Sequence, residues 1–547
     1  MKKKEKYYVI NDIRWLVKDT FLDTLKEISA SIDTEKNCEI IRKGLFKKVL
    51  KYNYKQESFY IKQYTTKHNM DIFKSFFLAS KAQREWNQSH RLLKNRLLTA
   101  EPIAIGEKRC FGMLIECFII SKAIPNSLSI KEMLVNIQQP SADYEIPNKN
   151  TLLTNLISYI RTLHDKGLFH GELHAENILT DINNIALFYL LDLSRAKFRK
   201  IVSLPRRIRE MARLLYSVTD VCTNEEITKM INNYTNQTAD YKDRQIFREM
   251  VFNKIHKIKN RLWHSRTSKC LKNNDVFKIT THNEYAINMR REYDVNTLVA
   301  LINKHTMSLN ERLDNVIKTS SKIGITCLPV SDETTKSVCI KEYKYPSHLK
   351  RFLYAFHNSL GRKAWFAAHG LLTLNIKTPK PIALFEEKRP FIIKKSFIIM
   401  DDISNCSPCN KYVAEKFKNP NGKINRRMKK NFIFHLALSF RQLHDSDVYH
   451  ADLKANNIMI MESQDSWDFS YLDLDRVRFN KKITIKEMVK NLSQLNASIP
   501  NCITYTDRLR FYQIYSGMRN LNTENKQILK AIIQLSIKRK HVWTAKT

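Results

Sequence analysis

Apolar residues recur at intervals of three and four in two distant stretches of the chain. This spacing predicts an amphipathic helix in each stretch, because residues three and four apart share one face of a helix. Each predicted helix leads into a polar segment that begins with a histidine, His170 or His450. The apolar positions are Leu153, Leu156, Ile157, Ile160 and Leu163 in the first stretch, and Ile433, Leu436, Ala437, Phe440 and Leu443 in the second.

Alternating apolar and polar residues predict β-strands upstream of both helices. A strand-rich region thus precedes a helical region twice, which predicts an α+β fold with two bilobal domains in tandem. The predicted elements of the first half are a strand ending at Lys62, a helix through residues 84–86, strands from Phe111 to Ile120 and a hinge from Ser121 to Lys131. Those of the second half are strands at residues 317–329 and 337–343 and a helix from about Lys350 to Gly370.

The two halves match residue by residue at a nearly constant spacing, which indicates an internal duplication. Three matched pairs share one offset, and a fourth pair, Asp192 with Asp473, has an offset that is only slightly larger. The three pairs are Lys62 with Lys341, Pro102 with Pro381 and Trp86 with Trp365. The length of 547 residues accommodates two domains of this size. We predict domains at residues 1–284 and 285–547, separated by the polar run from Lys272 to Glu284.

The segment after each helix resembles the catalytic loop of a phosphotransferase. The two segments are HGELHAEN, residues 170–177, and HADLKANN, residues 450–457. In each an acidic residue, Glu172 or Asp452, lies five positions before an asparagine and can accept the proton of a hydroxyl group. The oxygens suited to Mg²⁺ are supplied by Asn177 with Asp192 in the first half and by Asn457 with Asp473 in the second.

Two lysines within the strand patterns are candidates for contact with the α- and β-phosphates of ATP, namely Lys62 and Lys341. Glu85 on the following helix can pair with Lys62, whereas the matching residue of the second half is Ala364. Glu172 is one methylene longer than Asp452, and a misplacement of about 1 Å can cost roughly 100-fold in rate. The second half therefore has the better base, and the first half has the better lysine partner.

Composition adds a strong positive charge. Lys and Arg exceed Asp and Glu by 39, which indicates either attraction to a polyanion or a compositional bias spread over the surface. The apolar runs are shorter than the roughly 18 residues that span a bilayer, so we expect a soluble or peripheral protein. Ten cysteines scattered along the chain favour reduced thiols over a disulfide framework.

Taken together, these motifs resemble the bacterial lipopolysaccharide core kinases, the Kdo and heptose kinases, which have an atypical protein-kinase-like fold. The resemblance lies in the two loops, in LLDL at residues 190–193 and YLDLDR at residues 471–476, in Arg84 to Trp86, and in TPKPIA at residues 378–383. It implies two protein-kinase-like domains, ATP and Mg²⁺ as cofactors, and phosphate transfer to a Kdo or heptose hydroxyl of a lipopolysaccharide precursor. It also implies a cytoplasmic enzyme, peripheral at the anionic inner membrane. Glu172 and Ala364 depart from the family pattern.

Three other functions stay open at this point. The departures allow a tandem pseudokinase scaffold, related folds phosphorylate other small hydroxylated acceptors, and the charge alone would allow nucleic-acid binding, for which we find no zinc-finger or RNA-reading motif. A protein kinase is disfavoured, because Gly171 and Ala451 replace the arginine that reads a phosphorylated activation loop, and the stretch after Asp473 has no segment resembling Ala-Pro-Glu. The sequence does not predict the oligomeric state.

Overall fold

The computed structural model describes residues 5–34, 38–44, 46–66, 78–138, 148–236, 241–330, 337–345, 347, 351–352, 354, 357–389, 392–417, 426–463 and 466–539. The chain divides into two compact units, Met1–Lys259 and Asn260–Thr547. Each unit contains a sheet-based small lobe followed by a helical large lobe. The predicted α+β class is confirmed.

The small lobe of unit 1 is a seven-stranded antiparallel sheet in the order β1-β2-β7-β8-β5-β4-β3. Helix α1 packs its Leu25 and Ile28 against this sheet in one apolar cluster with Trp15 and Phe118. The strands are β1 (Glu5–Ile10), β2 (Ile13–Lys18), β3 (Cys38–Gly44), β4 (Lys47–Tyr54), β5 (Glu57–Thr65), β7 (Pro102–Cys110) and β8 (Met113–Lys122), and the helices are α1 (Leu22–Thr34) and α2 (Lys81–Lys94).

The large lobe of unit 1 is built around α4, whose predicted apolar face is buried. This helix begins at Lys149, where the Asn148 side chain caps it by accepting a hydrogen bond from the amide of Thr151. The helices are α3 (Ile130–Gln138), α4 (Lys149–Asp165), α5 (Leu204–Ser217), α6 (Asn224–Thr235) and α7 (Tyr241–Thr267). The short strands are β6 (Leu98–Thr99), β9 (Ser127–Ser129), β10 (Leu168–Phe169), β11 (Ile178–Asp181), β12 (Phe188–Leu190) and β13 (Lys197–Phe198).

The small lobe of unit 2 repeats the sheet of unit 1 strand for strand. Its order is β14-β15-β19-β20-β18-β17-β16, the same path through seven strands as in unit 1. A shared topology of this complexity is what an internal duplication produces. The strands are β14 (Phe277–His282), β15 (Tyr285–Arg290), β16 (Val316–Thr319), β17 (Ile323–Pro329), β18 (Ser337–Lys344), β19 (Pro381–Arg389) and β20 (Ile392–Asp401).

Helices and short strands complete unit 2. The predicted apolar face of α11 is buried, as in α4. The helices are α8 (Val295–Glu311), α9 (Leu360–Thr373), α10 (Cys409–Phe417), α11 (Arg426–Asp445), α12 (Ile485–Ser498), α13 (Tyr505–Ser516) and α14 (Thr523–Lys538). The short strands are β21 (Ser407–Pro408), β22 (Tyr449–His450), β23 (Ile458–Ser463), β24 (Ser466–Tyr471) and β25 (Val477–Arg478). None of the helices within the described ranges is long and apolar enough to cross a bilayer.

The boundary between the units lies earlier than the predicted one after Glu284. It falls inside α7, between Lys259 and Asn260. The polar run taken as a separator contains β14, an edge strand that pairs with β15 along its whole length. Trp263 already belongs to unit 2, because its buried Nε1 donates a hydrogen bond of 3.0 Å to the carbonyl of Gly370.

The segment predicted as a hinge, residues 121–131, leads from β8 of the small lobe to β9, which pairs with β11 of the large lobe, and to the start of α3. One smaller prediction needs correction. The helix predicted from Lys350 begins at Leu360, where the Ser359 side chain accepts a hydrogen bond from the amide of Arg362. Lys350 itself lies outside the described residues.

Candidate active site

Each candidate catalytic loop is braced by its histidine. The Nε2 atom of His170 donates a hydrogen bond of 2.9 Å to the carbonyl of Leu191, and its Nδ1 accepts one of 3.3 Å from the amide of Glu172. His450 makes the same pair of bonds, to Leu472 at 2.8 Å and from Asp452 at 3.2 Å. Burial lowers the pKa of both histidines, which favours the neutral ring that can donate and accept at once.

The side-chain nitrogen of each loop asparagine is held within the loop. Asn177 Nδ2 donates to the carbonyl of Glu172 at 3.0 Å, and Asn457 Nδ2 donates to the carbonyl of Asp452 at 2.8 Å and to its Oδ2 at 3.2 Å. With the nitrogen engaged by the loop, the amide oxygen stays available as a hard ligand for a cation.

The aspartates of the proposed metal pairs follow directly on strands that run beside these asparagines. The amides of Leu191 and Leu472, the residues just before the aspartates, each donate a hydrogen bond of 2.9 Å to the carbonyl of the loop asparagine. Asp192 and Asp473 themselves have left-handed backbone conformations, with φ of 59° and 64°. The donor set of an amide oxygen and a carboxylate therefore fits Mg²⁺ in both units.

In unit 1, the candidate nucleotide lysine is held by a buried carboxylate. Lys62 Nζ lies 2.6 Å from Glu85 Oε1, and the Tyr64 hydroxyl donates to Glu85 Oε2 at 3.2 Å. Asp192 Oδ2 is 2.7 Å from a further lysine, Lys47. Burial favours the neutral forms, but mutual attraction outweighs it: the pKa of Lys62 is raised by Glu85 and Asp192, and the pKa of Asp192 is lowered by Lys62 and Lys47. Two lysines thus face two carboxylates.

In unit 2, the corresponding lysine is held by a carboxylate of the large lobe. Lys341 Nζ forms an ion pair with Asp473, and Ala364 stands where unit 1 has Glu85. A second carboxylate, Asp475, is nearby and replaces Ser194 of unit 1. Burial opposes the charge of Lys341, yet Tyr343, Asp473 and Asp475 raise its pKa. Lys454 also helps to lower the pKa of Asp473, whereas burial raises the pKa of Asp475.

The two candidate bases also differ in their partners. Glu172 Oε1 is bound by the guanidinium of Arg195 at 2.8 Å. Asp452 Oδ2 lies 2.9 Å from the ammonium of Lys454, which belongs to the same loop, and accepts the hydrogen bond from Asn457 described above. Both candidate bases therefore pair with one cation, and Asp452 is also held by the side chain of the loop asparagine.

The sequence analysis missed the buried polar residues that hold the backbone of each loop through hydrogen bonds. Glu210 is buried and accepts hydrogen bonds from the amides of His170 at 3.1 Å and Gly171 at 2.6 Å. Asn491 donates to the carbonyl of His450 at 2.6 Å. Glu210 and Asn491 are separated by the same offset as the two metal-site aspartates. Extending the repeat comparison past the loops would have found them.

Unit 2 has an open cavity beside these residues. Its volume is about 390 Å³, within the usual range for small-molecule sites. Lys341, Asn457 and Asp473 line it, together with strands β17 and β18 and the segment from Met400 to Ser404. The cavity therefore brings together the lysine, the metal-type oxygens and the strand that leads to the large lobe.

Comparison with known proteins gives concordant results. The model of the lipopolysaccharide kinase (Kdo/WaaP) family matches residues 32–234 and 347–515. The lipopolysaccharide core heptose(I) kinase WaaP of Escherichia coli strain K12 is 27% identical over 161 residues, 28% of this chain and 60% of that protein. A second Escherichia coli WaaP is 21% identical over 206 residues, 36% of this chain and 77% of that protein.

Two solved structures are more distant. A structure described as WaaP in complex with acyl carrier protein has a TM-score of 0.34 and 15% identity, covering 45% of this chain and 98% of that one. A Stt7 homologue from Micromonas algae soaked with ATP has a TM-score of 0.22 and 12% identity, covering 29% and 48%. The two segments that match the family model make up well over half of the sequence, one in each unit. The chain therefore belongs to the lipopolysaccharide kinase (Kdo/WaaP) family.

Proposed function

We propose that the protein is an ATP-dependent kinase that phosphorylates a heptose or Kdo hydroxyl of the lipopolysaccharide inner core, with its chemistry in unit 2. The observation that carries the proposal is the convergence of Lys341, Asn457 and Asp473 on one cavity, with Asp452 held by the same asparagine. Family membership and the relatives named as heptose kinases support the acceptor class.

Asp452 would act as the base. Its Oδ2 receives Asn457 Nδ2 at 3.2 Å and Lys454 Nζ at 2.9 Å, which fixes the carboxylate while its other oxygen, Oδ1, can accept the proton of a sugar hydroxyl. Lys341 stays charged, because the carboxylates around it raise its pKa. Its ammonium can therefore neutralise phosphate oxygens, turning from Asp473 to the nucleotide when that is bound.

Asn457 and Asp473 would hold Mg²⁺, since their oxygens are hard ligands adjacent to the cavity. When bound, the ion supplies charge neutralisation for the phosphates of ATP. In both units a lysine pairs with the metal-site aspartate, Lys47 with Asp192 and Lys341 with Asp473, so the ion would have to displace that lysine.

For unit 1 we propose a nucleotide-binding domain with little or no transfer activity. It retains the Lys62–Glu85 pair, which suits a phosphate site, but Arg195 engages the carboxylate of Glu172. Glu172 is also one methylene longer than Asp452, and a misplacement of about 1 Å can cost roughly 100-fold in rate. This arrangement favours a pseudokinase role for unit 1 and leaves unit 2 as the catalytic domain.

The acceptor and location follow from charge and family together. An excess of 39 basic residues suits an anionic glycolipid at an anionic membrane surface, where each well-placed lysine or arginine contributes about 1 kcal/mol. We therefore propose that the protein works as a peripheral enzyme at the cytoplasmic face of the inner membrane.

The test is transfer of phosphate from labelled ATP, with and without Mg²⁺, to truncated core acceptors that end at Kdo, at the first heptose or at the second heptose. We expect labelling that requires Mg²⁺ and begins with one of these sugars. Labelling of a simple sugar alcohol at the same rate would point to another small acceptor. The absence of both ATP turnover and phosphate transfer with every acceptor would contradict the proposal and favour a scaffold.

A further inference from the structure

Two cysteines lie opposite each other in the cavity of unit 2. Cys327 on β17 and Cys339 on β18 are direct partners in the antiparallel register. Both line the cavity that also contains Lys341, and both are free thiols. Because side chains of a strand alternate between faces, Cys339 and Lys341 point to the same side of the sheet.

The pair has the geometry that a disulfide needs. Opposed residues of antiparallel strands have Cα atoms about 4.5–5.5 Å apart, within the range of roughly 4.4–6.8 Å found in disulfides. The two side chains also project from the same face. The strands can therefore be bridged here with little movement of the backbone.

The surroundings favour reaction at this pair. A hydrogen bond between the two thiols lowers the pKa of Cys339 and raises that of Cys327. Alternatively, the single proton of the Cys327 thiol is donated to Asp402 Oδ1 at 3.5 Å. Both side chains are partly accessible from the cavity, so a small reagent can reach them. Unit 1 has Lys51 opposite Tyr60 at the corresponding step of β4 and β5, so that unit has no such pair there.

We propose that Cys327 and Cys339 form a dithiol site in unit 2 that reacts with small disulfides, of which oxidised glutathione is the simplest biological example. One thiol attacks oxidised glutathione, which releases one glutathione and leaves a mixed disulfide, and the second thiol attacks this mixed disulfide and releases the other glutathione. Two S–H bonds are lost, one S–S bond forms, and the reagent leaves as two reduced thiols that carry the two protons away.

Oxidation would change the cavity in two ways. It removes the thiol that donates to Asp402, and it ties β17 to β18 next to Ile325 and Lys341, which are the neighbouring pair on the same face of the ladder. Loss of one hydrogen bond to a charged group, together with restricted movement of β17, should weaken nucleotide binding about fivefold or more. This consequence, unlike the dithiol itself, rests on the proposed function of unit 2.

The test treats the full chain with glutathione buffers of increasing oxidised fraction, then with diamide. Peptide mapping after alkylation identifies the bridge, and trinitrophenyl-ATP fluorescence measures nucleotide binding in a Lys62→Met background, which weakens the proposed site of unit 1. We expect a reversible 327–339 bridge and a weaker affinity that recovers on reduction. The double variant Cys327→Ser/Cys339→Ser, which leaves neither thiol for a mixed disulfide, should abolish both responses to oxidation, whereas the matched control Cys110→Ser, at an exposed cysteine of unit 1, should keep both.

Two results would overturn the inference. The first is the absence of a 327–339 bridge even with diamide, and the second is a bridge that leaves nucleotide affinity unchanged. If the reduced protein fails to bind the nucleotide, the proposed function and the nucleotide effect fail together. The peptide map, which needs no activity, would still decide whether the dithiol site exists.

Discussion

The candidate nucleotide lysine pairs with a different carboxylate in each unit, and substitutions can introduce the arrangement of unit 2 into unit 1. In unit 1 the partner is Glu85, which is 4% exposed and lies 2.6 Å from Lys62. Unit 2 has Ala364 at that position and carries Asp475 where unit 1 has Ser194. If these are alternative solutions to one electrostatic problem, Glu85→Ala should destabilise unit 1 and Ser194→Asp should restore part of the loss.

The magnitude follows from the geometry of the pair. Two unit charges 2.6 Å apart attract by about 6 kcal/mol at an effective dielectric constant of roughly 20. Breaking one partner of a buried pair typically costs about 3–5 kcal/mol. Lys62 is also attracted by Asp192 and can turn toward it, as Lys341 contacts Asp473. We therefore expect a loss near the lower limit, about 3 kcal/mol, and a recovery of about 1 kcal/mol in the double variant.

The assay is hydrogen-exchange mass spectrometry of the full chain over a urea series, which reports peptides of β5 and α2 separately from those of β18. The β18 peptides of unit 2 serve as the internal control and should not change. In the wild-type background Ser194→Asp should be neutral or destabilising, because Glu85 already supplies the charge. A loss below about 1 kcal/mol for Glu85→Ala, or no recovery in the double variant, would refute the reasoning.

Two further variants test the asymmetry between the units. His444 is buried beside Asn491, and burial lowers its pKa to about 4 from 6.5. The stability that its neutral form contributes is therefore complete above pH 6.5 and is lost as the pH falls through 4. The loss amounts to up to about 3 kcal/mol. Asn491→Glu copies Glu210, which lies 3.1 Å from His164. This variant should raise the urea midpoint of unit 2 more at pH 5 than at pH 7. An equal rise at both pH values would contradict this cause. Lys341→Met should reduce phosphate transfer about 100-fold or more. The matched variant Lys62→Met should leave transfer within about twofold of the wild type and should destabilise unit 1. Similar losses of transfer in both variants would show that unit 1 is catalytic as well.

Much of the fold could be predicted because it depends on periodicity and repetition. The faces of α4 and α11 follow from helical spacing, and the nearly constant offset between the halves located both loops. The boundary was misplaced because β14 is an edge strand, KITTH after Phe277, whose polar residues resemble a linker. A solvated edge strand buries little, so its composition gives a weak signal.

The ion pairs of the site were harder to infer. The pairing of Lys341 with Asp473 and of Glu172 with Arg195 depends on where long side chains reach in three dimensions. Sequence spacing shows that Ala364 lacks a carboxylate, but it does not show which other carboxylate takes over. Glu210 was also hard to infer from the sequence. An acid on an amphipathic helix usually lies at the surface, whereas Glu210 is buried and accepts hydrogen bonds from the loop amides.

The central claim is that transfer takes place in unit 2 with Asp452 as the base, and a matched pair of isosteric variants tests it most directly. The measurement is the initial rate of phosphate transfer from labelled ATP to a heptose-containing core acceptor, for Asp452→Asn and Glu172→Gln. We expect Asp452→Asn to lose at least about 100-fold, and Glu172→Gln to stay within about twofold of the wild type. Transfer that survives Asp452→Asn but is lost in Glu172→Gln would contradict the account and assign the chemistry to unit 1.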